Sequence, residues 1–238
     1  MSGVGIDYDR AWEEVYGDLQ DIGPTHRHML RIMRRMLEPL EYSSVLEVGV
    51  GHGHNLPVLT QGRAIRCVTG VDISERALTH VRERWDGTFR KLDIVSERLL
   101  ETFELVCCAL VMEHLDDDRA ALGNLRAMTS RYLLLTTIGG NYDRYSPWER
   151  QVGHVRNYAR GELQRKLCEA GFQIERAAYW GFPFYSPIAR RLQNRMTATS
   201  HLPARARLIA RILYLVFFLN SSRRGDLIVV LARPDHTR

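Results

Sequence analysis

Three carboxylates stand where short apolar stretches of the chain give out: Glu47 in Val45-Leu46-Glu47-Val48-Gly49, Asp72 in Gly70-Val71-Asp72-Ile73-Ser74, and Asp93 in Lys91-Leu92-Asp93-Ile94. Carboxylates held at fixed points can accept hydrogen bonds from hydroxyl and amino groups of a ligand. After the first comes Gly49-Val50-Gly51-His52-Gly53-His54-Asn55. Glycines at 49, 51 and 53 let a turn tighten and let a ligand approach the main chain with no Cβ in the way. A helix beginning beyond them would add unpaired N–H groups at its first turn. Two histidines, His114 and His154, are candidates for proton transfer, since imidazole titrates near neutral pH. His114 also reads as part of a structural loop. His154 has Arg156 and Tyr158 beside it, which could instead orient an anionic or polar acceptor. His52 and His54 read as shaping the glycine loop.

The elements that must position these residues follow from hydrophobic periodicity. Residues 7–20 and 25–40 are predicted helical, the second with Met29, Ile32, Met33, Met36, Leu37 and Leu40 at helical spacing and Pro24 at its start. From residue 44 the pattern alternates. Strands are predicted at 44–48, 65–71, 89–92, 105–110 and 132–137, with helices at 74–84 and 116–128 between them. Ser74 is placed to cap the first of these helices. After a loop over 140–158 come a helix at 160–170 ended by Gly171, a strand at 174–179 and a last strand at 227–232. Alternating apolar strands and helices indicate βαβ units and a parallel sheet buried on both faces. Acids at three successive strand ends then share the carboxyl edge of that sheet, where open α/β folds bind ligands.

The spacing is not the dinucleotide fingerprint GxGxxG, because His54 stands where its third glycine would be. The GxGxG run with an acid two residues before it resembles motif I of class I S-adenosylmethionine-dependent methyltransferases. Phe103 to Leu115 resembles motif IV and its loop, and 153–172 resembles the region after the fifth strand in small-molecule members. The resemblance is good over 44–180, looser over the N-terminal helices and poor over 181–226. It implies an α/β, Rossmann-like, mostly parallel seven-stranded sheet in a single domain. The expected parts are a helical cap (1–43), a core (44–180), a helical insertion (181–226), and a last strand and tail (227–238).

For the site, the resemblance implies S-adenosylmethionine as cofactor and S-adenosylhomocysteine as product. Glu47 would help hold the methionine end, with Gly49, Gly51, Gly53 and Asn55 around it. Asp72 would take the ribose hydroxyls and Asp93 the adenine amino group, with Ile73, Ile94 and Ala109 against the ligand. Tyr8 and Trp12, one helical turn apart, would close over the cofactor or else pack on the core. Phe182, Phe184 and Tyr185 suit an apolar or aromatic acceptor pocket. The implied activity is methyl transfer to a small molecule, with oxygen the expected acceptor atom. A membrane-peripheral enzyme acting on a lipid, quinone or lipid-linked sugar is the alternative, and a non-catalytic cofactor-binding scaffold a further one. Some quinone-pathway relatives bind a metal through an extra acid before a Glu-His pair. Here Leu110 stands in that place, and Asp116-Asp117-Asp118 suit a helix start by dipole complementarity, so no metal is expected.

Composition fits one large domain. The chain has 238 residues, 45% hydrophobic and 26% charged, with net charge +5. Lys91 and Lys166 are its only lysines and the remaining positive charges are scattered arginines, so no nucleic-acid partner is expected. Cys67, Cys107, Cys108 and Cys168 form no CxxC pair and read as buried, reduced hydrophobes of a cytoplasmic protein, monomeric or homodimeric. The N-terminus carries no signal-peptide pattern, and the longest apolar run, Ile212 to Leu219, is too short to span a bilayer. Arg205, Arg207 and Arg211 precede that run; a basic amphipathic helix can lie on a membrane, but a buried core helix, pocket wall or subunit contact is the expected reading.

Overall fold

A computed structural model describes residues 7–11, 14, 15, 17–199 and 201–237. Trp12 lies outside the described residues. Seven strands form one sheet: β1 (Ser44–Val48), β2 (Cys67–Asp72), β3 (Thr88–Lys91), β4 (Phe103–Ala109), β5 (Thr129–Ile138), β6 (Phe172–Trp180) and β7 (Leu227–Pro234). Their order is β3-β2-β1-β4-β5-β7-β6. Pairings among the first five are parallel, and β7 runs antiparallel to both neighbours. The seven-stranded, mostly parallel sheet expected from the sequence is the one observed.

The strands read as continuous apolar runs because both faces are covered. On one face Val45, Leu105, Cys107, Leu134 and Val229 join a core with Met29, Met33 and Leu37 of α3 (Pro24–Leu37) and Leu56 and Leu59 of α4 (Leu56–Thr60). On the other, Leu46, Val106, Cys108, Leu133 and Val230 pack with Leu122 and Leu125 of α6 (Asp118–Met128) and Leu163 and Leu167 of α8 (Glu162–Glu169). Strands β1, β4, β5 and β7 thus feed both cores with alternate side chains. Shorter helices α1 (Tyr8–Ala11) and α2 (Gly17–Ile22) precede α3, and α5 (Glu75–Arg82) follows β2. The Ser74 hydroxyl accepts from the Ala77 N–H at 3.0 Å, the expected cap of α5.

Two expectations need correcting. Residues 140–158 are not all loop: α7 spans Tyr142–Gln151, opened by Asn141, whose side chain accepts from the Arg144 N–H. Pro147 lies inside α7 and removes one ladder donor, which hid the helix from a pattern-based reading. Cys107 and Cys108 are buried as expected, but Cys67 and Cys168 are exposed, at the start of β2 and on α8. Between β6 and β7 lie one turn of π-helix (Tyr185–Ala189), α9 (Arg190–Gln193), α10 (Ala204–Val216) and a 3₁₀ turn (Phe217–Leu219). No described helix is long and apolar enough to cross a membrane.

Candidate active site

The carboxyl edge of β1, β2, β3 and β4 opens into a cavity of about 630 Å³ that holds polar groups along one wall and apolar side chains along the other. Asp72, at the end of β2, lines it. Its two carboxylate oxygens accept from the backbone N–H groups of Gly51 (2.8 Å) and Ser74 (2.9 Å). Each oxygen keeps a second acceptor position for a ligand hydroxyl. Burial pushes the Asp72 carboxyl upward, against those backbone hydrogen bonds. Asp93 lines the same wall, fixed by the Val95 N–H at 2.9 Å and the Ser96 hydroxyl at 3.2 Å. Apolar Ile73, Leu92, Ile94 and Ala109 stand beside the two acids in that wall.

The glycine turn is built for close approach. Gly49 has φ +72°, and a Cβ there would sit 2.3 Å from Val111 Cγ2. Only glycine satisfies both constraints without strain. Asn55 lines the cavity and donates to Glu47 at 2.6 Å. Glu47 itself is fully buried, one hydrogen bond behind the wall, and its second carboxylate oxygen has no partner among the described residues. Burial pushes its carboxyl up to about 8. Leu110, directly after β4, lines the cavity with φ +56°, a left-handed conformation that a branched residue rarely adopts and that surroundings must enforce.

Across the cavity, Tyr8, His114 and His154 converge. The Tyr8 ring stands edge-on to His114 with centroids 5.9 Å apart, and burial together with Glu113 pushes its hydroxyl up to about 12. His114 Nδ1 hydrogen-bonds the Gly153 carbonyl at 3.0 Å, and burial presses its pKa down to about 3, so this ring stays neutral. His154 Nδ1 hydrogen-bonds the Glu149 carboxylate of α7. Burial opposes ionisation of Glu149, but the His154 bond and the Arg190 charge hold its carboxyl below the ordinary range. Arg190, itself buried, reaches Glu149, the Gly139 carbonyl (2.8 Å) and Asp226 (2.7 Å), tying α9 to the ends of β5 and β7. Neither Glu149 nor Arg190 stands out by residue type or spacing in the sequence. His154 follows Glu149 at i+5, a spacing that carries meaning only once α7 is known to end at Gln151.

Not every expected residue lines the cavity. Arg156 pairs with Asp118 at 2.9 Å and donates to the Asp116 carbonyl, and Tyr158 donates to Asp118 at 2.8 Å in the far core. The acid run expected to complement the dipole at a helix start therefore does so only in part. Asp117 caps α6, while buried Asp118 collects Arg156, Tyr158 and Lys166. Phe182 is exposed, under the Arg224 guanidinium, whereas Phe184 and Tyr185 do line the cavity. Gly51 and Gly53 shape the turn without lining it. Glu113, His114 and His154 bring potential ligand atoms within 4.8 Å of one another, a grouping that the sequence does not show because His154 returns from beyond β5.

A family described as a methyltransferase domain matches residues 17–177, well over half of the chain. The chain belongs to this methyltransferase family. Its sheet order is that of the class I, S-adenosylmethionine-dependent type that the glycine motif resembled, and S-adenosylmethionine is its cofactor. The glycine turn, the doubly anchored Asp72 and the unpartnered Glu47 oxygen fit such a group. No curated protein matches the methyltransferase in sequence. Among solved structures it resembles a candidate methyltransferase in complex with the activator Trm112 from Haloferax volcanii (16% identity, TM-score 0.66, covering 98% of this chain and 100% of that one). It also resembles the N-methyltransferase NodS of Bradyrhizobium japonicum with S-adenosylhomocysteine (17%, 0.61, 90% of each). A third is the magnesium protoporphyrin IX methyltransferase of Synechocystis PCC 6803 with the same product bound (18%, 0.56, 88% and 84%). At such identities the likeness carries the fold alone.

Proposed function

We propose that the enzyme methylates a hydroxyl group on a small acceptor with an apolar body, and that His154 takes the hydroxyl proton. S-adenosylmethionine supplies an electrophilic methyl group, so the chain need only align the acceptor, exclude water and, for a hydroxyl, accept a proton. The observation that carries this reading is the Glu149–His154 pair in the wall of the cavity that Asp72 and Asp93 also line. With Nδ1–H donated to Glu149, the lone pair of the neutral ring lies on Nε2, and the carboxylate stabilises the imidazolium formed when that nitrogen is protonated. His114 fits this task poorly, since burial presses its pKa to about 3.

Residue roles on the cofactor side follow the same cavity. Asp72 receives the ribose hydroxyls, and Asp93 receives the adenine amino group between apolar Ile73 and Ile94. Glu47 with Asn55 serves the methionine end. The apolar wall of Phe184, Tyr185, Leu213 and Phe217 holds the acceptor body.

Transfer of labelled methyl to paired acceptors, each hydroxyl compound matched by an amine of the same skeleton, tests the proposal. The expected result is methylation of the hydroxyl members and a loss of turnover of about 10²- to 10⁴-fold in His154→Ala. Preference for amines, with His154→Ala as active as the parent, would overturn it.

A further inference from the structure

We infer that the face formed by α9 and α10 docks on an anionic phospholipid bilayer, and that the cavity draws its acceptor from that surface. From residue 181 to 225 the chain carries eight arginines and no aspartate or glutamate. Within that stretch α10 buries only Ala210. Its residues Leu208, Ile212 and Leu215, at i, i+4 and i+7, form one stripe and are 59, 53 and 68% exposed. Leu219 continues the apolar surface at 70% exposure. Arg205 and Arg211, each three residues from Leu208, flank the stripe and are exposed themselves. On α3, Arg27 and Arg31 lie over the Tyr214 and Phe218 rings at 3.6 and 4.3 Å, setting two more guanidinium groups against α10 and the 3₁₀ turn after it. Aliphatic side chains flanked by snorkelling arginines suit a boundary between headgroups and acyl chains.

An acidic protein would match the charge equally well. The cavity decides between them. Ile188, Leu192, Met196 and Ile209 line the cavity and are also about half exposed, so its apolar mouth opens on this face. A protein seated there would close the entrance, whereas a bilayer would leave it facing the phase in which an apolar acceptor is dissolved. The acceptor class is therefore a membrane-resident amphiphile that presents its hydroxyl near the headgroups. This last step rests on the proposed methyl transfer; the docking does not.

Co-sedimentation of the full chain with vesicles tests the docking. Vesicles of phosphatidylcholine and phosphatidylglycerol, mixed about two to one, should bind the protein at least about tenfold more tightly than phosphatidylcholine alone, and high salt should abolish the difference. The triple variant Leu208→Ser, Ile212→Ser, Leu215→Ser should lose about tenfold or more of the binding, while its S-adenosylhomocysteine affinity, measured alongside, stays at the parent value and reports an intact fold. Arg205→Ser with Arg211→Ser should erase the preference for anionic vesicles. Parent protein that stays in the supernatant, or that binds as well with the triple substitution, would overturn the inference. So would a parent dimer that the triple variant dissociates, because the face would then belong to a second copy. His154→Ala should bind vesicles like the parent, so failed catalysis and failed docking give different results.

Discussion

The two walls of the cavity are made in different ways. The wall proposed for the adenosyl group comes from strand ends and tight turns, and its acids are held by the backbone N–H groups of Gly51, Ser74 and Val95. The wall proposed for the acceptor comes largely from helices α7, α9 and α10, and its Glu149–His154 pair is backed by Arg190. A wall built from backbone is fixed by the sheet itself and tolerates few changes of conformation. A wall built from side chains on helical segments can vary with the acceptor while the cofactor site stays constant.

Glu149→Gln should break the acceptor wall alone. It removes the charge behind His154, while Asp226 still pairs with Arg190. Turnover should fall about tenfold or more with KM for S-adenosylmethionine unchanged. A rise in that KM with turnover intact would make Glu149 a structural residue shared by both walls.

Glu47→Gln should sharpen the contrast from the other side. Burial raises the Glu47 carboxyl to about 8, against about 4.3 in an unfolded chain. The folded state therefore holds the proton more tightly, so stability is full below about pH 4.3 and declines as pH rises toward 8. Glutamine has no such proton. Relative to the parent, the Glu47→Gln protein without cofactor should gain about 3 °C or more in Tm between about pH 5 and pH 8. Parallel Tm curves would mean that Glu47 is charged in the folded protein.

The smallest expected effect is none. If His154 serves as a proton acceptor, a chelator should leave turnover unchanged. Activity lost on chelation and restored by a divalent cation would reassign Glu113, His114 and His154 as metal ligands.

The same contrast governs what could be read from the sequence. Glu47, Gly49, Asp72 and Asp93 were legible because each sits at a local punctuation mark, where an apolar run meets a glycine or an acid. Their mutual placement then follows from parallel strands sharing one edge. The acceptor wall was legible only in part: His154, Phe184 and Tyr185 stand out by residue type, but Glu149 and Arg190 join them only through tertiary packing. Pro147 disguised the helix that carries Glu149, and Arg190 looked like one of many arginines until the fold buried it against Glu149 and Asp226. Arg156, Tyr158 and Phe182 were misplaced for the same reason. Proximity in sequence to His154 or to the aromatic segment placed them at the site, whereas Asp118 draws the first two into the opposite core and Phe182 stays on the surface.

The central claim is that the strand-end carboxylates hold the adenosyl group while the Glu149–His154 pair serves only the acceptor. Calorimetric titration of S-adenosylhomocysteine into Asp72→Ala and His154→Ala tests it directly. Loss of two hydrogen bonds to a charged acceptor should weaken binding to Asp72→Ala on the order of a hundredfold, with His154→Ala within about twofold of the parent. Parent-like affinity in Asp72→Ala, or an equal loss in both variants, would contradict the account.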